Sequence, residues 1–328
     1  MTKYIFVFLK GLAMGAADVV PGVSGGTIAF ITGIYDQLLD SISKINFGLI
    51  KKLKEEGFKS VWEHINGFFL LSLFAGIACS ILSLAKVIKF LLLEYPIGVW
   101  SFFFGLILAS IVYLLRELKT IDVKSIIGLI VGTVFVILLS QIPGQKDATN
   151  LAYIFFCGMV AICAMILPGI SGSFILLVLG AYSTVFIDAL ASKNILVLGV
   201  FGSGAIVGLL SFSKFLKWIL ERYKNTTFAI LIGFLLGSLY KIWPWKHVEE
   251  IFVKHIGEPK ETVVNIVETN VLPNQYDTIV REGSSIVGYS PQDPMLWQSI
   301  LFCILGFSLI FILEGLGNIK SKSKIQSA

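Results

Sequence analysis

Six stretches of this chain contain no Asp, Glu, Lys or Arg, and their lengths decide which folds are open to it. They run Ile65–Ala85, Tyr95–Leu115, Ser125–Gln145, Ala148–Ile187, Asn194–Ser213 and Pro294–Leu313, and five of them are 20 or 21 residues long. A helix needs ~20 apolar residues to cross ~30 Å of hydrocarbon. The sixth, at 40 residues, has room for two helices or for a helix and a re-entrant pair. Only 14% of the 328 residues are charged, and the mean hydropathy is +0.86, whereas soluble domains carry roughly 25% charge. A soluble enzyme, a nucleic-acid binder and a disordered chain are excluded. The expected fold is all-α, a polytopic integral membrane protein.

The four cysteines (Cys79, Cys157, Cys163, Cys303) all lie in apolar segments, at spacings that suit neither zinc nor a disulfide framework. They read as small hydrophobes packed between helices. No metal and no cofactor is expected.

The chain repeats itself. Pro21-Gly-Val-Ser-Gly-Gly-Thr27 returns as Pro168-Gly-Ile-Ser-Gly-Ser-Phe174, 147 residues on. At the same offset Gly11 pairs with Gly158, Ala17 with Ala164, Gly33 with Gly180 and Tyr35 with Tyr182. Further on the offset falls to 128, and Gly76, Lys86, Lys89, Tyr95, Gly105 and Ser110 match Gly204, Lys214, Lys217, Tyr223, Gly233 and Ser238. A weaker third match sets Lys124–Ser140 against Gln298–Glu314. The order of the three matches predicts two homologous halves, 1–145 and 146–328, the second carrying an inserted loop at 243–293. Residues 1–20 therefore read as part of the first half rather than as a signal peptide.

Each half opens with an apolar run, a Pro-Gly-x-Ser-Gly break and a second apolar run, followed by three spanning helices. It crosses three times if the broken element is re-entrant and five times if it spans fully. Both counts are odd, so the second half is expected to insert upside down relative to the first. With the N-terminus cytoplasmic, 17 of the 26 Lys and Arg residues fall inside, as basic loops prefer. The expected orientation places both termini in the cytoplasm and the 243–293 loop, with eight acids against four bases, outside as a small cap. Ile50, Leu53, Val61, Trp62 and Ile65 recur at helical spacing between lysines, predicting a helix that lies along the inner leaflet.

Pro and Gly end helices by removing an amide donor and freeing φ. In hydrocarbon such a break survives only where it is buried in protein or lines a cavity. Paired breaks at corresponding places in two halves are the best sequence pointer to a transporter's binding site. The candidate substrate-binding residues are Pro21, Gly22, Ser24, Gly25, Gly26 and Thr27 in the first break, and Pro168, Gly169, Ser171, Gly172 and Ser173 in the second. New helices are expected to start at Ser24 and Ser171, with free N–H groups, hydroxyl donors and glycines that let an anion approach. Asp18, three residues before Pro21, is the candidate for ion coupling; its counterpart is Met165. Lys86, Lys89, Lys214 and Lys217 are candidates for gathering phosphate headgroups.

Gly22-Val-Ser24-Gly25 and Gly169-Ile-Ser171-Gly172 also fit the Gly-x-Ser-Gly pattern of intramembrane serine proteases. Such a serine needs a base within reach, and the three histidines (His64, His247, His255) all fall in expected loops. Hydrolysis is disfavoured, and no nucleotide-binding Gly-x-x-x-x-Gly-Lys-Ser/Thr loop exists to power a pump. The chain is not expected to be an enzyme. On the residues alone, transport of a lipid phosphate, transport of a small soluble anion and lipid-phosphate hydrolysis stay open.

Gly15-Ala-Ala-Asp-Val-Val-Pro-Gly-Val-Ser-Gly-Gly-Thr-Ile-Ala-Phe-Ile-Thr-Gly-Ile-Tyr-Asp36 resembles the signature of the prokaryotic polyprenyl-phosphate transporter (PopT-type) membrane family. The resemblance covers essentially the whole chain, including Leu167-Pro-Gly-Ile-Ser-Gly-Ser173. It implies return of undecaprenyl phosphate, the lipid carrier of cell-wall precursors, from the outer to the inner leaflet of the cytoplasmic membrane. Its implied partners are the polyprenyl-phosphate lipid, membrane lipids and a coupling H+ or Na+; nucleic acid is not among them. The second motif has Ser173-Phe174 where the first has Gly26-Thr27. If both grip phosphate, that departure makes the second half the weaker donor.

Overall fold

The computed structural model of the chain describes residues 2–19, 24–46, 48–118, 121–142, 150–189, 192–254 and 262–326. It is an all-α polytopic membrane protein: α1 (Thr2–Val19), α2 (Gly25–Ile31), α3 (Tyr35–Ser43), α4 (Gly48–His64), α5 (Gly67–Glu94), α6 (Pro96–Glu117), α7 (Val123–Ser140), α8 (Leu151–Ile166), α9 (Gly172–Val178), α10 (Ile195–Arg222), α11 (Lys224–Lys241) and α12 (Leu296–Gln326). Among the described residues, three helices are individually long and apolar enough to cross a membrane, at Pro96–Arg116, Val123–Ser140 and Ile195–Arg222. A fourth such unit is the bent pair of α4 with the start of α5, which meet at 52°. No residue of α4 is buried, and Gly57 breaks the helix with φ 79°, a left-handed conformation that glycine adopts without a Cβ clash.

The chain forms two compact units. The first holds Met1–Phe90 and Leu118–Ser238, and the second Leu91–Glu117 and Leu239–Ala328. In the first unit, α1 crosses α5 where Gly11 and Gly76 bring the two backbones together, the space for a Cβ on Gly11 being taken by the Leu73 carbonyl oxygen. Helices α8 and α10 cross in the same manner at Gly158 and Gly204, against the Phe201 and Phe155 carbonyls. Gly132 and Gly233 do the same for α7 and α11. With no hydrophobic drive between helices in lipid, such small residues supply the contact area.

In the second unit, α6 packs on α12 through Gly105 and Gly306, and the hydroxyls of Ser101 and Ser299 bond at 2.7 Å in the buried seam. The inserted segment is not an irregular loop. Lys246–Lys254 (β1) pairs antiparallel with Thr262–Asn270 (β2), and Asp277–Glu282 (β3) pairs with Ser285–Pro291 (β4). Alternating exposure along β3 and β4 fits strands with one covered face. Trp243 and Trp245 pack edge to face at 5.3 Å, each donating its indole N–H to a backbone carbonyl, Val271 and Pro294 respectively. Glu268 pairs with Lys241 at 3.1 Å and Lys246 at 3.4 Å.

Candidate functional site at two helix breaks

The first break begins where α1 stops at Val19; Pro21 and Gly22 lie outside the described residues. Helix α2 restarts at the position expected. Ser24 is its N-cap, with extended φ and ψ, and its hydroxyl accepts from Gly26 N–H at 3.1 Å. This is the N-cap role that serine plays by satisfying one of the orphan donors of a helix start. The next donor, Gly25 N–H, is taken by the carboxylate of Asp18 at 2.6 Å. A methyl group on Gly25 would lie 2.5 Å from the other carboxylate oxygen, so the acid seats itself directly on the backbone.

The second break follows α8. Leu167 leaves the helix, Pro168 and Gly169 make a turn with Gly169 at φ 82°, and α9 restarts after Ser171. Here the cap is different. Ser171 makes no cap bond to the helix start; its hydroxyl pairs instead with that of Ser173 at 2.8 Å. Met165 packs where the first half has its acid, against Gly172.

The two breaks are in direct contact. Ser24 Oγ donates to the Met165 carbonyl at 2.9 Å, and Gly169 N–H donates to Thr27 Oγ1 at 2.9 Å. A methyl group on Gly26 would lie 2.5 Å from the Ile166 carbonyl oxygen. Ser24 and Thr27 are 1% and 0% exposed. The hydroxyls expected to face an anion in the first break are thus committed to the backbone of the second, where they satisfy groups that the interrupted helix leaves open.

Beside this contact lies a cavity of about 160 Å³. Asp18, Met165, Ser171, Gly172, Ser173 and Phe186 line it, together with small and apolar residues of α8 and α10. Among the described residues its polar side chains are one carboxylate and two hydroxyls, with no lysine or arginine in the wall.

Of the four lysines singled out from the sequence, Lys214 and Lys217 are not part of this constellation. Lys217 pairs with Asp40 at 2.6 Å and ties α10 to α3, while Asp40 also accepts from Lys44 at 2.6 Å. Lys214 is exposed. The side chains of Lys86 and Lys89 lie outside the described residues. One charged residue beside the first break was missed: Lys10, half-buried on α1, donates to the Thr32 carbonyl at 2.6 Å at the far end of α2. Its signal was a cation in the interior of an apolar helix, at a position where the other half has Cys157.

Residues 14–260 match the family described as undecaprenyl phosphate translocase-like. The chain belongs to the undecaprenyl phosphate translocase-like family. A protein of Vibrio cholerae named polyprenyl-phosphate transporter is 47% identical over 282 residues, covering 86% of this chain and 90% of that protein. A Staphylococcus aureus protein of the same name is 37% identical over 253 residues, 72% of this chain and 85% of that one. No solved structure matches. The stretch shared with the family contains both breaks, Asp18 and the whole cavity wall, and begins after Lys10.

Proposed function

We propose that this protein carries undecaprenyl phosphate from the outer to the inner leaflet of the cytoplasmic membrane, returning it for cell-wall precursor synthesis. The observation that carries the reading is the cavity at the meeting of the two breaks. It offers hydroxyls of Ser171 and Ser173 to a phosphate within an apolar wall. Unpaired polar backbone is costly in hydrocarbon, so two breaks held together by their own side chains keep a polar path open without loss of the fold. The family and the two named relatives support the lipid phosphate over a soluble anion and over hydrolytic chemistry.

On this reading the roles of the motif residues divide. Ser24, Gly26 and Thr27 join the breaks, and Pro168 and Gly169 turn the second one, while Ser171, Gly172 and Ser173 face the substrate. The two halves, 1–145 and 146–328, act as an inverted pair with both termini cytoplasmic. Moving one or two negative charges inward against ~100 mV costs roughly 2–5 kcal/mol. Inward H+ or Na+, taken up at Asp18, offsets it.

The test is headgroup accessibility of undecaprenyl phosphate in proteoliposomes. Ser171→Ala combined with Ser173→Ala should slow inward movement at least tenfold, and wild-type rates in the double variant overturn the assignment. Collapsing both ion gradients should slow the wild type; no effect would remove the coupling. A cysteine introduced by Ser285→Cys should label from outside, and one introduced by Gly57→Cys should not.

A further inference from the structure

The cavity has a charge problem. A phosphate monoester brings one or two negative charges to a wall whose ionisable group, among the described residues, is the acid Asp18, with no cation beside it. The counter-charge has to come from nearby. On α1, Lys10 lies eight residues before Asp18, ~12 Å along the axis at 1.5 Å per residue. Ile5, Phe6 and Leu9 around it are exposed apolar side chains, so this part of the helix is built to face hydrocarbon. Its ammonium donates one hydrogen bond, to the Thr32 carbonyl, and among the described residues no carboxylate pairs with it. An ammonium at membrane depth without a counter-ion is expensive. Two of its three protons remain to be shared. Beside Thr32, Gly33 is exposed, and a Cβ on it would meet nothing within 4 Å. The backbone that follows the cation's acceptor is therefore open to approach.

We propose that Lys10 contacts the phosphate group of the substrate at the Thr32 end of α2, as a station on its way to the cavity. This rests on the transport reading above and names a substrate-contacting residue for it. Lys10 and Asp18 of α1 then have complementary positions on one path: Lys10 at the Thr32 end of α2 receives the headgroup, and Asp18 stands at its other end. The second half has no equivalent, since Cys157 and Met165 occupy these positions. The cation station belongs to one half only.

The experiment uses the full-length wild-type protein. Lys10 is acylated with an amine-reactive reagent and quantified by mass spectrometry, alone and with geranyl phosphate, geraniol or inorganic phosphate. Geranyl phosphate should reduce labelling of Lys10 at least threefold and geraniol should not. Protection by inorganic phosphate as well would assign the contact to the phosphate alone; protection by geranyl phosphate only would assign it to the lipid. Unchanged labelling, or equal protection by geraniol, overturns the proposal. A cysteine introduced by Ser173→Cys, labelled in parallel, separates the two readings: its protection by geranyl phosphate without protection of Lys10 leaves the cavity standing and removes Lys10. In proteoliposomes, Lys10→Met should raise the half-saturating lipid concentration about tenfold and Lys10→Arg should restore it. A fall in turnover with unchanged half-saturation would mark Lys10 as a helix cap and also overturn it.

Discussion

The carboxylate of Asp18 and the backbone N–H of Gly25 meet at 2.6 Å, which puts an acid of α1 at the positive end of α2. At the other end of the same short helix, Lys10 of α1 bonds the Thr32 carbonyl at 2.6 Å. Both charges complement the helix dipole, negative at the N-terminus and positive at the C-terminus. Helix α2 is therefore held by charge at both ends, whereas α9 is held by apolar packing of Met165 on Gly172 and of Cys157 against Leu176. The two short helices look alike in sequence and are anchored by different physics.

Asp18 has two separable contributions, a hydrogen bond and a charge. Asp18→Ala removes both and leaves the Gly25 N–H buried without a partner, at a cost of about 1–3 kcal/mol. Asp18→Asn keeps an acceptor oxygen and should unfold within about 1 kcal/mol of wild type. Thermal unfolding in detergent, run beside the headgroup assay, tells them apart. Transport should fall in both variants and stability chiefly in the alanine one. If the asparagine variant transports normally, the carboxylate is an N-terminal cap and carries no ion.

The contact between the breaks depends on the absence of a side chain at Gly26. A methyl group there would sit 2.5 Å from the Ile166 and 2.6 Å from the Met165 carbonyl oxygens, and both are backbone atoms that cannot rotate away. Gly26→Ala must force the breaks apart, and overpacking of this kind costs about 1–3 kcal/mol. Gly202→Ala, on α10 with nothing within 4 Å, is the control and should be neutral or slightly stabilising. Equal melting temperatures for the two variants would mean that the breaks are not tightly joined.

Much of this site was legible before the structure, and the parts that were not share one cause. The restart of α2 after Ser24 and of α9 after Ser171 follows from local chemistry, Pro and Gly ending a helix and Ser beginning one. The use of the Ser24 and Thr27 hydroxyls does not. Their partners, Met165 and Gly169, lie 141 and 142 residues away, and no local pattern shows which distant backbone group will be left open. Lys10 reads as one more inward-facing positive charge until its ammonium is seen 22 residues along the chain at Thr32. The cap was legible as a polar insert from its acids. Its pairing was not, because the register of β1 with β2 is set by contacts across a segment, not within a strand.

Tyr35 gives a prediction of opposite sign. Its ring is buried against Phe30 at 5.2 Å, edge to face, and among the described residues its hydroxyl has no hydrogen-bond partner. A buried donor without a partner costs about 1–3 kcal/mol. Tyr35→Phe keeps the ring and removes the orphan, so it should raise the melting temperature. A variant less stable than wild type would show that the hydroxyl has a partner in the membrane-embedded protein.

The cap predicts an acid transition of its own. Burial alone would raise the carboxyl of Glu268, but the pull of Lys241 and Lys246, with a hydrogen bond from Asn265, outweighs it and holds the group at about 2. A carboxylate held below its ordinary value of 4.5 contributes stability that is fully present above that value and is lost as the pH falls through about 2. Burial pushes Lys246 the other way from its partner, down to about 8 against the attraction of Glu268. The cost of its buried charge is therefore relieved as the pH rises above about 8, so mild alkali should not loosen the cap. Backbone hydrogen exchange of β1 and β2, measured on the intact protein, should stay slow from pH 5 to 9 and rise between pH 4 and 2. Glu268→Gln leaves two buried ammonium groups facing each other, which costs about 3–5 kcal/mol. It should expose the strands already at neutral pH, and adding Lys246→Met should restore part of the protection. Protection that is lost above pH 5 in the wild type, or kept in Glu268→Gln, would show that this ion cluster does not hold the cap.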